Sequence, residues 1–71
     1  MALNYAYNYA YIDLETKMCI EFISTSREDT TDDPSRVEVP VNDPEYLFKY
    51  YINGEWYEDA EGTIPWTSSL L

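Results

Sequence analysis

A chain of 71 residues lies near the lower limit for burying an adequate hydrophobic core, and chains of that size ordinarily need a staple. A single cysteine and no histidine exclude an internal disulfide and the usual zinc sets. Fourteen acidic residues against four basic ones, a net charge of −10, exclude a surface for direct nucleic-acid contact or for an anionic membrane, because phosphate needs the opposite sign. Eight Tyr, two Trp and two Phe leave very good packing or oligomerisation as the source of stability, and oligomerisation is favoured. No apolar run approaches the roughly 20 residues of a membrane span, so no membrane insertion is expected. The amino terminus lacks the basic and apolar regions of a secretory signal, so synthesis in the cytoplasm and a single domain over residues 1–71 are expected.

Residues 4–11 write the unit Asn-Tyr-Ala-Tyr twice, and period two is the strand signature. Tyr5, Tyr7, Tyr9 and Tyr11 share one face. Asn4, Ala6, Asn8 and Ala10 share the other, where small side chains let another layer approach closely. Asp13-Leu14-Glu15-Thr16-Lys17 resembles the common Asp-Pro-Glu-Thr-Gly hairpin loop, with Asp13 accepting backbone N–H bonds and Lys17 in the left-handed conformation normally given to glycine, at a cost on the order of 1 kcal/mol. With residues 14–17 as the loop, Ile12 opposes Cys19, Tyr11 opposes Ile20 and Tyr9 opposes Phe22. Tyr9, Tyr11, Ile20 and Phe22 then form the expected core side, with Cys19 a half-buried small hydrophobe on a mixed second face.

Residues 24–35 are polar with no apolar anchor, and they predict a mobile loop. Val37-Glu38-Val39-Pro40-Val41 alternates, and Pro40 cannot donate to a ladder, which assigns this strand to a sheet edge. Asp43-Pro44-Glu45 has the order of an N-cap, first-position proline and first-turn acid, predicting one helical turn over residues 43–47, with Tyr46 and Leu47 pinning it to the sheet. Asn53-Gly54 between aromatic and β-branched runs is a strong hairpin signal. It opposes Ile52 to Glu55, Tyr51 to Trp56, Tyr50 to Tyr57 and Lys49 to Glu58, the last as a charge pair. Both hairpin faces are aromatic, so at least one must lie on something else. The tail, residues 60–71, keeps Ile64, Trp66, Leu70 and Leu71 apolar while losing alternation; it covers its own sheet or docks on a neighbour. The expected fold is mainly all-β: a small antiparallel sheet of two hairpins plus a short edge strand, one helical turn and an extended tail.

Catalytic signatures are absent from the sequence: there is no glycine-rich phosphate loop, nucleophile elbow, histidine base or cysteine pair. Paired carboxylates for glycoside cleavage need a cleft holding them about 5–10 Å apart, which a domain this small rarely provides. Glu28, Asp29, Asp32 and Asp33 lack the spacing and central glycine of a calcium loop. No enzyme activity, cofactor or metal is therefore expected. Tyr51, Trp56, Tyr57, Ile64, Trp66, Leu70 and Leu71 are the candidate partner-binding residues. An acidic inhibitor that occupies a basic host protein's nucleic-acid site is an alternative, using Glu28, Asp29, Asp32, Asp33, Glu58, Asp59 and Glu61; a domain that reads cell-surface glycan by ring stacking is another.

The order of aromatic strand, Asp-x-x-Thr turn, second strand, polar loop, Val-x-Val-Pro, Asp43-Pro44-Glu45-Tyr46-Leu47-Phe48-Lys49 and Ile52-Asn53-Gly54-Glu55-Trp56 resembles small domains of bacteriophage structural proteins of the tail-fibre, baseplate and head-fibre type. Phe48 stands where those domains often carry glycine. The resemblance implies a non-enzymatic adaptor or attachment domain in the virion, made in the host cytoplasm. It also implies partners that are other phage structural proteins or copies of the chain itself, in a homo-oligomer or larger assembly.

Overall fold

The computed structural model describes residues 7–71; the alternation expected at Asn4, Tyr5 and Ala6 lies outside them. Strands β1 (Tyr7–Ile12), β2 (Cys19–Thr25) and β3 (Arg36–Val39) precede one 3₁₀ turn (Pro44–Tyr46), which leads to β4 (Tyr50–Ile52) and β5 (Glu55–Tyr57). The fold is mainly β, as expected, but it divides into two small antiparallel sheets, ordered β2-β1-β3 and β4-β5. No helix of the described residues is long and apolar enough to cross a membrane.

The first hairpin forms for the local reasons read in the sequence. Asp13 Oδ1 accepts from the Glu15 and Thr16 amides at 2.8 and 3.2 Å, and Lys17 takes φ 70°. The pairing of Ile12 with Cys19 also holds. Beyond it the register slips by one: Tyr11 opposes Glu21, Ala10 opposes Phe22 and Tyr9 opposes Ile23. Ile20 is the extra residue of a β-bulge.

That single insertion exchanges the faces of β2, because the side-chain period is two. Phe22 joins Ala10 and Ile12, while Ile20 is 54 % exposed. The core is therefore built on Ala10, Ile12, Cys19, Val39 and Tyr46, and the expected core side of Tyr9, Tyr11, Ile20 and Phe22 is not formed as such. The physical reason is volume. Ala10 on the central strand leaves room for the Tyr46 layer, which a row of tyrosine rings would exclude.

Tyr9 is nonetheless buried, on the opposite side of β1. Its ring stacks on Tyr7 at 6.4 Å, and the Arg36 guanidinium carbon lies 5.5 Å from its centroid. Its hydroxyl accepts from the Asp29 amide at 2.9 Å. The polar connection, which begins after Thr25 and not at Ser24, thus has an anchor the sequence did not reveal. Arg36 fastens it further through Asp29 at 3.2 Å and the Thr31 carbonyl at 2.5 Å.

Strand β3 pairs with β1 and forms an edge, as Pro40 requires. The two sheets are joined by residues 48–51 running beside the start of β2: the Cys19 amide donates to Lys49 O at 2.8 Å, the Phe48 amide to Cys19 O at 2.8 Å and the Tyr51 amide to Lys17 O at 2.9 Å. To make this junction the chain passes through Phe48 at φ 71°, a conformation that costs a side-chain-bearing residue about 1–2 kcal/mol. Phe48 is also 67 % exposed, so it contributes little packing in return. Phe48→Gly is expected to raise stability by about 1 kcal/mol, net of the added chain entropy, and the midpoint of urea unfolding measures it.

Candidate functional site

The site is assembled around Tyr46. Asp43 caps the 3₁₀ turn, its Oδ1 accepting from the Glu45 amide at 2.9 Å with Pro44 behind it, as the sequence predicts. The turn delivers Tyr46 into the interior, 2 % exposed. Its ring is parallel to Phe22 at 5.9 Å and meets Trp56 and Trp66 edge-on, each at 4.9 Å. Trp56 in turn contacts Tyr51 at 4.9 Å. These are the separations at which aromatic quadrupoles attract.

Trp56 reaches this position because the second hairpin folds as read. Asn53 and Gly54 take φ 51° and 84°, and Tyr51 opposes Trp56. The Tyr51 and Trp56 face is the one laid on the core. Lys49 departs from expectation: its Nζ lies 5.1 Å from the Trp66 ring centroid, and the expected pair with Glu58 is not formed, the one ion pair among the described residues being that of Arg36 and Asp29.

Trp66 reaches Tyr46 because the tail turns back along β5. The Asp59 carboxylate accepts from the Thr63 hydroxyl and from the Thr63 and Ile64 amides. Gly62 sits at φ 69°, and a Cβ there would meet Ile52 Cδ1 at 3.2 Å. The Glu58 amide then donates to Ile64 O at 2.8 Å and the Trp66 amide to Trp56 O at 3.0 Å. Farther on, the Ser68 hydroxyl donates to Asp43 Oδ2 at 2.5 Å and accepts from the Leu70 amide at 3.1 Å. Asp43 and Ser68 are both buried. Of the two roles open to the tail in the sequence, covering its own sheet is the one realised for Trp66.

Between β5 and this returning segment lies an open cleft of about 380 Å³, lined by Trp56, Trp66, Glu55, Ser68 and Leu71 around Tyr46. It brings together three of the candidate contact residues, Trp56, Trp66 and Leu71. Tyr51 lines a different hollow, of about 270 Å³, with Ile12, Leu14 and Ile52. Tyr57 is half-buried and donates its hydroxyl to Glu55 Oε2 at 2.9 Å, a bond that raises the Tyr57 pKa. Ile64 and Leu70 are exposed and stand outside the cleft. Glu55, Thr67 and Ser68 were missed in the sequence: Ser68 is joined to Asp43 across 25 positions, a separation no local pattern encodes.

The acidic candidates divide by role. Asp29, Asp33 and Asp59 are held below the ordinary carboxylate range, chiefly by the hydroxyls of Thr31, Ser35 and Thr63 respectively, and they work as turn caps. Glu28, Asp32, Glu58 and Glu61 are exposed. Burial raises the Cys19 thiol, which keeps it protonated and a poor nucleophile. Among the described residues no three His, Cys, Asp or Glu side chains cluster as metal ligands would. The cleft offers the rings of Tyr46, Trp56 and Trp66 with Pro65 and Leu71 beside them, a set suited to holding an apolar group. No protein-family model, curated protein or solved structure matches this chain.

Proposed function

We propose that this chain is a non-enzymatic adaptor or attachment module of a bacteriophage particle, joining structural subunits of tail or head-fibre type through the Trp56 and Trp66 cleft. The observation that carries the reading is the cleft itself: two indoles remain accessible beside a filled core, and Leu71, 66 % exposed, borders them. Each Å² of apolar surface covered there by another subunit contributes about 25 cal/mol, and such burial adds to the stability of a small fold by mass action. The resemblance of residues 43–49 and 52–56 to phage structural domains supplies the setting. Phe48 at positive φ supports it, since the position holds the backbone shape for which those domains often use glycine.

Mass spectrometry of purified particles from a phage that encodes the chain tests this reading. The expected result is the chain at a fixed copy number per particle, retained through washing with high salt. Its absence from particles, with the chain found free in the lysate, overturns the assignment. The inhibitor reading, which draws on Glu28, Asp29, Asp32, Asp33, Glu58, Asp59 and Glu61, predicts that outcome instead, together with a complex that salt dissociates.

A further inference from the structure

The sheet β2-β1-β3 has two outer strands, and they are finished differently. β3 has four residues, follows Pro34 closely and runs into Pro40, and Arg36 at its start is held by Asp29 and Thr31. Short length and proline are the devices that keep sheet edges from pairing with other chains. β2 has seven residues and carries neither proline nor lysine. Its bulge at Ile20 lies toward the end that residues 48–51 already cover.

The hydrogen bonds of β1 show which groups of β2 are open. The Ile12 amide donates to Ser35 O on the β3 side, and the Asp13 amide to Met18 O on the β2 side. Alternation back along β1 turns Tyr11, Tyr9 and Tyr7 toward β2, so their partners Glu21, Ile23 and Thr25 are the residues that exchange bonds with β1. Phe22 and Ser24 therefore turn their N–H and C=O groups outward. Cys19, opposite Ile12, does the same, and there Phe48 and Lys49 take up both groups. Among the described residues no backbone group outside the ladder bonds to the backbone of residues 20–25. Ile20 and Ile23 flank this open row at 54 % and 39 % exposure.

Charge favours the same edge. The chain carries −10, but residues 19–27 hold one acid, Glu21, and one base, Arg27, and so sum to zero. Both are exposed, and neither enters an ion pair among the described residues. Two such acidic molecules meet at least electrostatic cost along a neutral strand.

We propose that two copies of the chain pair along β2 about a two-fold axis at Ser24, joining their three-stranded sheets into one of six strands. Ser24 exchanges both backbone bonds with its counterpart, and Phe22 does so with Ser26 of the second copy. Between these pairs Ile23 opposes Thr25 and Glu21 opposes Arg27, each twice by symmetry. A register centred nearer Cys19 runs into residues 48–51, which selects Ser24. The pairing rests on the edge alone; what it adds to the assembly reading is that a pair presents two copies of the cleft, as joining two subunits requires.

Sedimentation equilibrium of the whole chain, from about 10 μM to about 1 mM, is expected to pass from the monomer mass to twice that mass, with a midpoint on the order of 100 μM as suits one strand per copy. Amide exchange locates the contact: the Phe22 and Ser24 amides should gain protection as concentration rises, while those of Glu21 and Ile23 stay protected throughout. Glu21→Arg and Arg27→Glu should each weaken the dimer about tenfold, and the double exchange should restore it, with circular dichroism verifying each fold. General charge repulsion would instead move the single variants in opposite directions, since their net charges become −10 + 2 = −8 and −10 − 2 = −12. The proposal is overturned by a monomer mass throughout, by a dimer that leaves the Phe22 and Ser24 amides unprotected, or by opposite effects of the single exchanges. A monomer here with the chain present in particles removes the pairing and leaves the assembly role standing; a dimer with the chain absent from particles does the reverse.

Discussion

Tyr46→Ala should abolish cooperative folding at room temperature, while Tyr46→Phe should leave it nearly intact. Truncating a buried aromatic ring costs about 3–5 kcal/mol in lost transfer energy and residual cavity. A domain of this length holds on the order of 4–10 kcal/mol in total. The loss is aggravated here because Tyr46 is the shared neighbour of Phe22, Trp56 and Trp66, which belong to the first sheet, the second sheet and the tail. Removing the ring therefore uncouples three parts at once. The hydroxyl contributes less, since its phenol sits among rings and burial raises its pKa, so the phenylalanine variant keeps the packing. Near-UV circular dichroism and urea unfolding distinguish the cases: the alanine variant loses the aromatic signal and its transition, and a variant that still melts sharply would place the centre of the core elsewhere.

The second large effect is expected at the buried Asp43 and Ser68 pair. Asp43→Ala removes the cap of the 3₁₀ turn, worth about 1 kcal/mol. It also strands the Ser68 hydroxyl in a buried site, adding about 1–3 kcal/mol. Ser68→Ala leaves the capped carboxylate one bond short at a cost of about 1.5–3 kcal/mol. Because the two groups share one hydrogen bond at 2.5 Å, the double alanine variant should cost less than the sum of the singles, by about 1–2 kcal/mol in a double-mutant cycle. Asp43→Asn keeps an acceptor for the Glu45 amide and can still bond Ser68, so it should stay near the parent. The sequence alone would predict a smaller effect, that of an N-cap on a single turn. A cycle showing strict additivity would mean that the tail is held by Trp66 alone.

These two residues also mark where reading the sequence succeeds and where it stops. Asp43, Asp13 and the Asn53-Gly54 pair act on neighbours within a few positions, and their turns form as expected with the cap, the left-handed lysine and the positive φ angles in place. The partner of Asp43 at Ser68 belongs to no such local rule. Likewise Trp56 and Trp66 stood out as contact candidates by size and apolarity, but nothing in their spacing disclosed that both would close on Tyr46, nor that Glu55 would stand beside them.

The amino-acid order by itself determined the alternating strands, the turns that connect them, the edge position before Pro40 and the one-sided charge, because each depends on short-range dihedral preference, side-chain period or simple composition. Only the tertiary structure decided which face of β1 became the core, since a bulge at Ile20 and the rings arriving from residues 46, 56 and 66 settle how volume is shared. Close packing is a property of everything that meets at one place, and in this chain the residues that meet come from as far apart as Ala10 and Trp66.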